Sequence, residues 1–217
     1  LIFGNLIGSR IGDMGGYTYM DFIVPGLVMM AVIQNSYGNI SSSFFGAKFG
    51  RHIEEMLVSP MPNWVILSGY VAGAVLRGVI VGAIVLCIAM LFTTVRIPHP
   101  LVMLGSVLLG ATIFSLAGFV NAVYAKKFDD IAIVPTFILT PLTYLGGVFY
   151  SVKLLPDWAE AATHANPVFY MVNAFRYGLL GVSDVSLWVA FALMLGFVVV
   201  LGGLGLWLLK RGTGMRS

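Results

Sequence analysis

The sequence predicts an all-α membrane protein that crosses the bilayer several times. Only 10% of its 217 residues are charged and 59% are hydrophobic, whereas a soluble domain carries about a quarter charged residues because its surface faces water. The mean hydropathy is +0.96, and the apolar residues gather into runs long enough to cross a hydrocarbon core, which takes about 20 residues in a helix. Those runs lack the alternation of a membrane β-barrel. A backbone exposed to lipid must also satisfy its own hydrogen bonds, which leaves helices.

The same composition excludes several kinds of chemistry. A net charge of +3 rests on few ionisable groups and gives no reason to expect nucleic-acid binding. Cys87 stands alone in an apolar run, so neither an internal disulfide framework nor a cysteine metal cluster is expected. His52, His99 and His164 fall in different connections without ligand spacing. No serine has a Gly-x-Ser-x-Gly context, and no G-x-x-x-x-G-K-[ST] phosphate loop is present. The chain is not expected to be an enzyme, to bind a cofactor or to hydrolyse ATP itself.

An apolar stretch is already under way at Leu1, with no signal-peptide pattern. We read Leu1 to about Ile7 as the end of a first span cut short by N-terminal truncation. Further spans are predicted at about 20–45, 64–93, 101–124, 131–150 and 185–209, which gives six in all. Between the first two complete spans, residues 47–59 form a short amphipathic helix. At 100° per residue, Phe49, Ile53, Met56 and Leu57 share one face and Arg51, Glu54 and Glu55 the other. Pro60 and Pro62 end it. A plain membrane-surface linker would show the same pattern.

Lys126 to Asp130 is a tight turn in which Asp129 or Asp130 caps the next helix and the lysines suit the end of the previous one. Pro135 and Pro141 should kink the fourth complete span and free carbonyls that the bundle must satisfy. The segment from about 152 to 180 predicts two short amphipathic helices that dip into the outer leaflet, the second capped at Asn166-Pro167. Trp158, Phe169, Tyr170, Phe175 and Tyr177 suit an interfacial belt. Gly69-x-x-x-Gly73 and Gly78-x-x-x-Gly82 permit close helix approach.

Orientation follows from the basic residues. Alternate connections hold Lys48, Arg51, Lys126, Lys127, Lys210, Arg211 and Arg216, against Arg10, Arg96, Lys153 and Arg176 on the other side. The richer side should be cytoplasmic, with the C-terminus inside. Arg77 is the ionisable residue most clearly inside a span. Placing it there costs roughly 3 kcal/mol, so it is expected to face the bundle or a wet cavity, or else to snorkel. No span holds a carboxylate pair of the kind that a proton- or sodium-coupled carrier uses. Asp21 with Asp13 would be the thin basis for a membrane enzyme acting on lipids.

Three segments resemble the ABC-2 family of bacterial transport permeases. They are RHIEEMLVSPMPNWVILSGY at 51–70, FDDIAIVPTFILTPLTYLGGVFYS at 128–151 and LLPDWAEAATHANPVFYMVNAFRYGLLG at 154–181. The resemblance implies an inner-membrane exporter built as a homodimer of six-helix subunits, each docked on a separate cytoplasmic ABC ATPase that binds the ATP. It implies that Arg51, Glu54 and Glu55 contact that ATPase while Met56 and Leu57 anchor the coupling helix. Arg77, Pro141, Trp158, Asn166, Phe169 and Phe175 then line or gate a path through the membrane lipids for a lipidic, glycan or drug-like substrate.

Overall fold

The computed structural model describes residues 17–93, 97–150, 152 and 156–212, with the backbone alone at Glu54, Leu57, Asp157 and Ala162. The span remnant expected at Leu1 to Ile7, Asp13, and the basic residues Arg10, Arg96, Lys153 and Arg216 lie outside the described residues.

Helix α1, Tyr19–Phe49, starts at Thr18, whose hydroxyl donates to the Asp21 carboxylate at 2.7 Å and accepts from the Asp21 amide. It is the axis of the bundle, and Met29, Val32, Ile33, Ile40 and Phe44 along it are fully buried. After a break at Gly50 and Arg51, α2 covers His52–Val58. The sequence pattern carries this amphipathic helix back through Phe49. Instead Phe49 closes α1, because Arg51 adopts a left-handed conformation (φ 61°) that no α-helix can contain.

Helices α3, Asn63–Met90, and α4, Pro100–Tyr124, pack most extensively on α1. Their approach depends on glycines. A Cβ on Gly78 would strike the Ser36 side chain, and one on Gly82 the Val32 side chain. On α4, a Cβ at Gly118 would come within 2.7 Å of the Tyr37 carbonyl oxygen. Of the two Gly-x-x-x-Gly pairs, Gly78 and Gly82 make this contact, whereas a Cβ at Gly69 or Gly73 meets nothing within 4 Å. Gly78→Val is therefore expected to destabilise the bundle by about 1–3 kcal/mol, the usual cost of overpacking. Gly73→Val should leave the thermal midpoint in detergent unchanged, and equal midpoints would refute the assignment.

The next span is interrupted. Helix α5, Phe128–Val134, passes into a π-helical turn at Pro135–Leu139 and continues as α6, Thr140–Leu145. Proline at 135 removes a donor from the ladder, and the carbonyls are satisfied sideways. The Asn121 amide donates to the Ile131 carbonyl at 3.5 Å and the Thr140 hydroxyl to that of Pro135 at 2.9 Å. At Pro135 the helix is interrupted by a widened turn.

Helix α7, Asp157–His164, leads into α8, Pro167–Leu180, and α9, Leu187–Arg211, closes the bundle. Asn166 caps α8 as expected, accepting from the Val168 amide at 3.0 Å. Helix α8 packs inside the bundle. Val168, Phe169, Met171, Val172, Ala174 and Phe175 are buried against α4, α9 and α1. It is buried on most sides, with Asn173 and Arg176 among its buried side chains.

Four described helical segments are long and apolar enough to cross a membrane: α3, α4, Phe128–Leu145 and α9. Helix α1 has 31 residues but is not among them, because amides and hydroxyls between Gln34 and Ser43 dilute its apolar character.

Candidate functional site: a polar groove between two ends of the bundle

The dilution of α1 is concentrated on one side. Gln34, Gly38, Ser42 and Ser43 are exposed and Asn35 and Asn39 half-buried, while Ile33, Ser36, Tyr37, Ile40 and Ser41 face the core. Residues four apart lie above one another on a helix, so these side chains wind along a single stripe. The Ser42 and Ser43 hydroxyls donate to carbonyls one turn back, Gly38 at 2.7 Å and Asn39 at 2.6 Å, and Asn35 donates to Ala31 at 2.9 Å. The Ser42 and Ser43 hydroxyl donors are thus spent on the helix, while Asn35 keeps a second amide donor.

The stripe borders a groove of about 380 Å³ between α1 and α5, lined by Gly38, Ser41, Ser42, Phe128, Ile131, Pro135 and Thr136 among others. Its walls are mostly apolar, with the hydroxyls of Ser41, Ser42 and Thr136 and no ionised group among them. Such a surface hydrogen-bonds a passing polar group without holding it as an ion pair would. A lysine ties the frame together at one end, where Lys48 Nζ donates to the carbonyls of Val123 and Ala125, each at 2.7 Å.

At that same end lies the α1–α2 elbow. Arg51 and Glu55 are exposed, Ile53 is buried in the core beside Phe44 and Phe45, and half-buried Met56 brings its sulfur to 3.8 Å from the Tyr70 hydroxyl. The side chains of Glu54 and Leu57 lie outside the described residues. Ile53 and Met56 thus sit on the bundle side and Arg51 and Glu55 are exposed, while Phe49, placed on the buried face by the sequence pattern, is 69% exposed. The left-handed Arg51 costs about 1–2 kcal/mol. Arg51→Gly should therefore hold or raise the thermal midpoint and Arg51→Val lower it, while a lower midpoint for glycine would contradict the strain.

The opposite end is capped by α8. Asn166 also donates to the Leu142 carbonyl at 2.6 Å. Phe169 and Phe175 are buried, so they border no open space in this conformation. Pro141 is exposed on α6, and Trp158, 77% exposed, stands on the outer side of α7. Burial raises the Tyr150 phenol above its ordinary value while a hydrogen bond to Thr163 partly offsets the rise, tying this loop to α7. Arg77 is exposed near the middle of α3 and makes no hydrogen bond or ion pair among the described residues. It does not face the core, one of the placements the sequence allows, and its exposure also suits a wet cavity or a snorkelling side chain. The structure thus gathers Arg51, Glu55 and Met56 at the elbow and Asn166, Phe169 and Phe175 in the cap. Arg77, Pro141 and Trp158 stand apart from both.

Two features were missed by sequence reasoning. One is the α1 stripe, signalled by Gln34-Asn35 and Asn39 to Ser43 within an otherwise apolar run. The other is Arg176, 2% exposed within α8, which donates to the Gly147 carbonyl at 2.7 Å and stacks over the Phe22 ring at 4.0 Å.

Comparison with known proteins bears on this arrangement. The chain is 54% identical to the inner membrane transport permease YadH of Escherichia coli strain K12, over all of this chain and 85% of that protein. It is 23% identical to Nodulation protein J of Sinorhizobium fredii over 80% of this chain and 67% of that one. To Nodulation protein J of Rhizobium leguminosarum bv. trifolii it is 24% identical, over 81% and 67%. The family model described as ABC-2 type transporter matches residues 1–180, which hold the stripe, the elbow and the cap, and the chain belongs to that family.

Proposed function

We propose that this chain is the membrane permease of an ATP-driven exporter in a bacterial inner membrane. In this reading it works as a homodimer, with each subunit bound at its α1–α2 elbow to a separate cytoplasmic ABC ATPase. The observation that carries the reading is the uncharged polar stripe along α1, the central helix of a bundle that otherwise buries apolar side chains. A chain of this family with such a groove has a route for cargo and no motor of its own. The elbow carries the basic and acidic groups that a soluble partner would meet, at the end where Lys48, Lys126, Lys127, Lys210 and Arg211 gather. An excess of lysine and arginine marks a cytoplasmic face.

The lining narrows the cargo. A few hydroxyls among mainly apolar side chains suit a lipidic, glycan or drug-like molecule better than a small ion. Membrane lipids surround the exposed apolar faces of α3 and α9.

The test is affinity purification of the full-length protein in mild detergent. A stoichiometric ABC ATPase is expected to co-elute and to gain turnover from the complex. A folded protein that elutes without an ATPase, and whose transport collapses with the proton gradient while ATP remains, would replace this reading with an ion-coupled carrier.

Arg77 supplies a separate check. Leucine there removes an insertion cost of roughly 3 kcal/mol, so expression should hold or rise. If the cation serves transport through a partner, Arg77→Leu lowers flux more than expression, which is the expected result. Flux unchanged per molecule would show a side chain that only snorkels.

A further inference from the structure

We propose that Arg176 is a positioning residue of the transport cycle: it latches the outer end of the α5–α6 span to the cap helix α8, and so sets the width of the α1–α5 groove. The proposal rests on reading that groove as the path.

The span that forms one wall of the groove is poorly embedded. Its buried side chains are Leu139 in the π-helical turn and Thr143 in α6, with none in α5. Helix α4 buries twelve of its 25 residues, two of them glycines. What holds this span is concentrated at its two ends. At the elbow end the Phe128 ring packs on Phe45 at 4.9 Å and on Phe49 at 5.4 Å, both from the end of α1. At the cap end the attachments are polar and close, through Asn166 to Leu142 and Arg176 to Gly147.

The turn that Arg176 grips is wedged in place. A Cβ on Gly146 would come within 2.8 Å of the Val168 side chain of α8. One on Gly26 of α1 would come within 2.7 Å of Val148. Gly147 between them has φ +71°, a conformation in which its carbonyl turns towards the guanidinium. Between the fixed ends lies the π-helical turn, which faces the groove through Pro135 and Thr136. A span tied to the cap at one end and to the core through Leu139 transmits movement of the cap to the groove wall.

The chemistry of Arg176 suits a latch better than a filler. A buried position next to Phe22 is filled at lower cost by an apolar side chain, because a buried cation must be compensated on every donor. Here Nη2 is bonded to Gly147 and Asp184 supplies opposing charge, while Nε meets no acceptor. Asn173, one turn earlier, accepts from the Asp184 amide at 3.1 Å and holds that loop beside the cation. One guanidinium therefore joins the α6 turn, α1 through Phe22, and the loop before α9.

The experiment places Ser42→Cys and Thr136→Cys across the groove in a Cys87→Ser background, in native membranes containing the ATPase partner. Cross-linking by a short bifunctional maleimide is timed with and without ATP. In the otherwise native chain the rate should change at least fivefold with ATP. Arg176→Gln should abolish that response while ATP hydrolysis continues, and Arg176→Lys, which keeps a cation able to donate to Gly147, should restore it in part. If Arg176→Gln does not accumulate, Asn166→Ala removes the neighbouring bond and should blunt the response in the same sense. A folded Arg176→Gln protein with an undiminished ATP response overturns the latch and leaves the groove standing. An ATP-insensitive pair in the otherwise native chain overturns the groove reading, and the latch with it.

Discussion

A tryptophan at Gly38 is expected to stop transport while leaving the bundle folded and its ATPase bound. Gly38 lies on the exposed side of α1, and a Cβ there meets nothing within 4 Å, so the new side chain enters the groove without displacing core. Helix energetics favour the change, since glycine is the poorer helix former by several tenths of a kcal/mol to about 1 kcal/mol. The indole would lie across the space bounded by Ser42, Ile131, Pro135 and Thr136. If cargo passes there, flux should fall about a hundredfold, which corresponds to roughly 2.7 kcal/mol of added barrier. The measurement is ATP-driven uptake into inside-out vesicles of an amphiphilic dye that the native protein moves, beside the thermal midpoint and the yield of ATPase complex. Gly46→Trp is the matched control: it lies on the same helix with equally open space, and outside the groove lining. Native flux through Gly38→Trp would remove the groove from the path.

The contrast between Gly38 and Gly78 shows what a sequence can and cannot disclose about such a bundle. Both are glycines inside long helices, yet one faces a groove and the other receives Ser36 and Val32 of a neighbour. Apolar runs identify which segments become helices, because burying or dissolving them in lipid is a property of composition. Caps are legible for the same local reason. Asn166-Pro167 starts α8, and the Asp130 carboxylate accepts the Lys126 and Lys127 amides before α5. The neighbour each face meets is set by contacts distant in the chain. The Arg176 bond to Gly147 spans 29 residues, and nothing near either residue announces it. The α1 stripe was legible in principle, as polar residues at helical spacing, but a window average over the whole run conceals a one-sided pattern. Arg51 illustrates the remaining case: an amphipathic period continued through it, and only the backbone reversal separates Phe49 from Ile53.

Charge reversal at Glu54 and Glu55 is expected to release the ATPase without unfolding the permease. Glu55 is exposed on α2, and the helix is held to the bundle by Ile53 and Met56, so the Glu55 charge is not needed for the fold. Surface charges distant from any partner contribute little to stability, about 0–1 kcal/mol. At an interface the arithmetic differs, because a like charge facing a complementary groove costs several kcal/mol and cannot relax into water. Replacing both glutamates with lysine should therefore weaken association at least a hundredfold, or about 2.7 kcal/mol, with flux lost in proportion. Alanine at both positions should give a smaller loss, and high salt should weaken the native complex while sparing an apolar contact. Quantitative co-purification across a salt series reads all three. The sign of the salt effect separates two roles for the elbow. If association is salt-sensitive and lost on reversal, the exposed face of α2 carries the contact and the buried Ile53 passes the partner's movement to Phe44 and Phe45 at the foot of α1. If the double reversal leaves a stoichiometric complex with native flux, α2 is a membrane-surface linker, and the motor must act on the permease elsewhere.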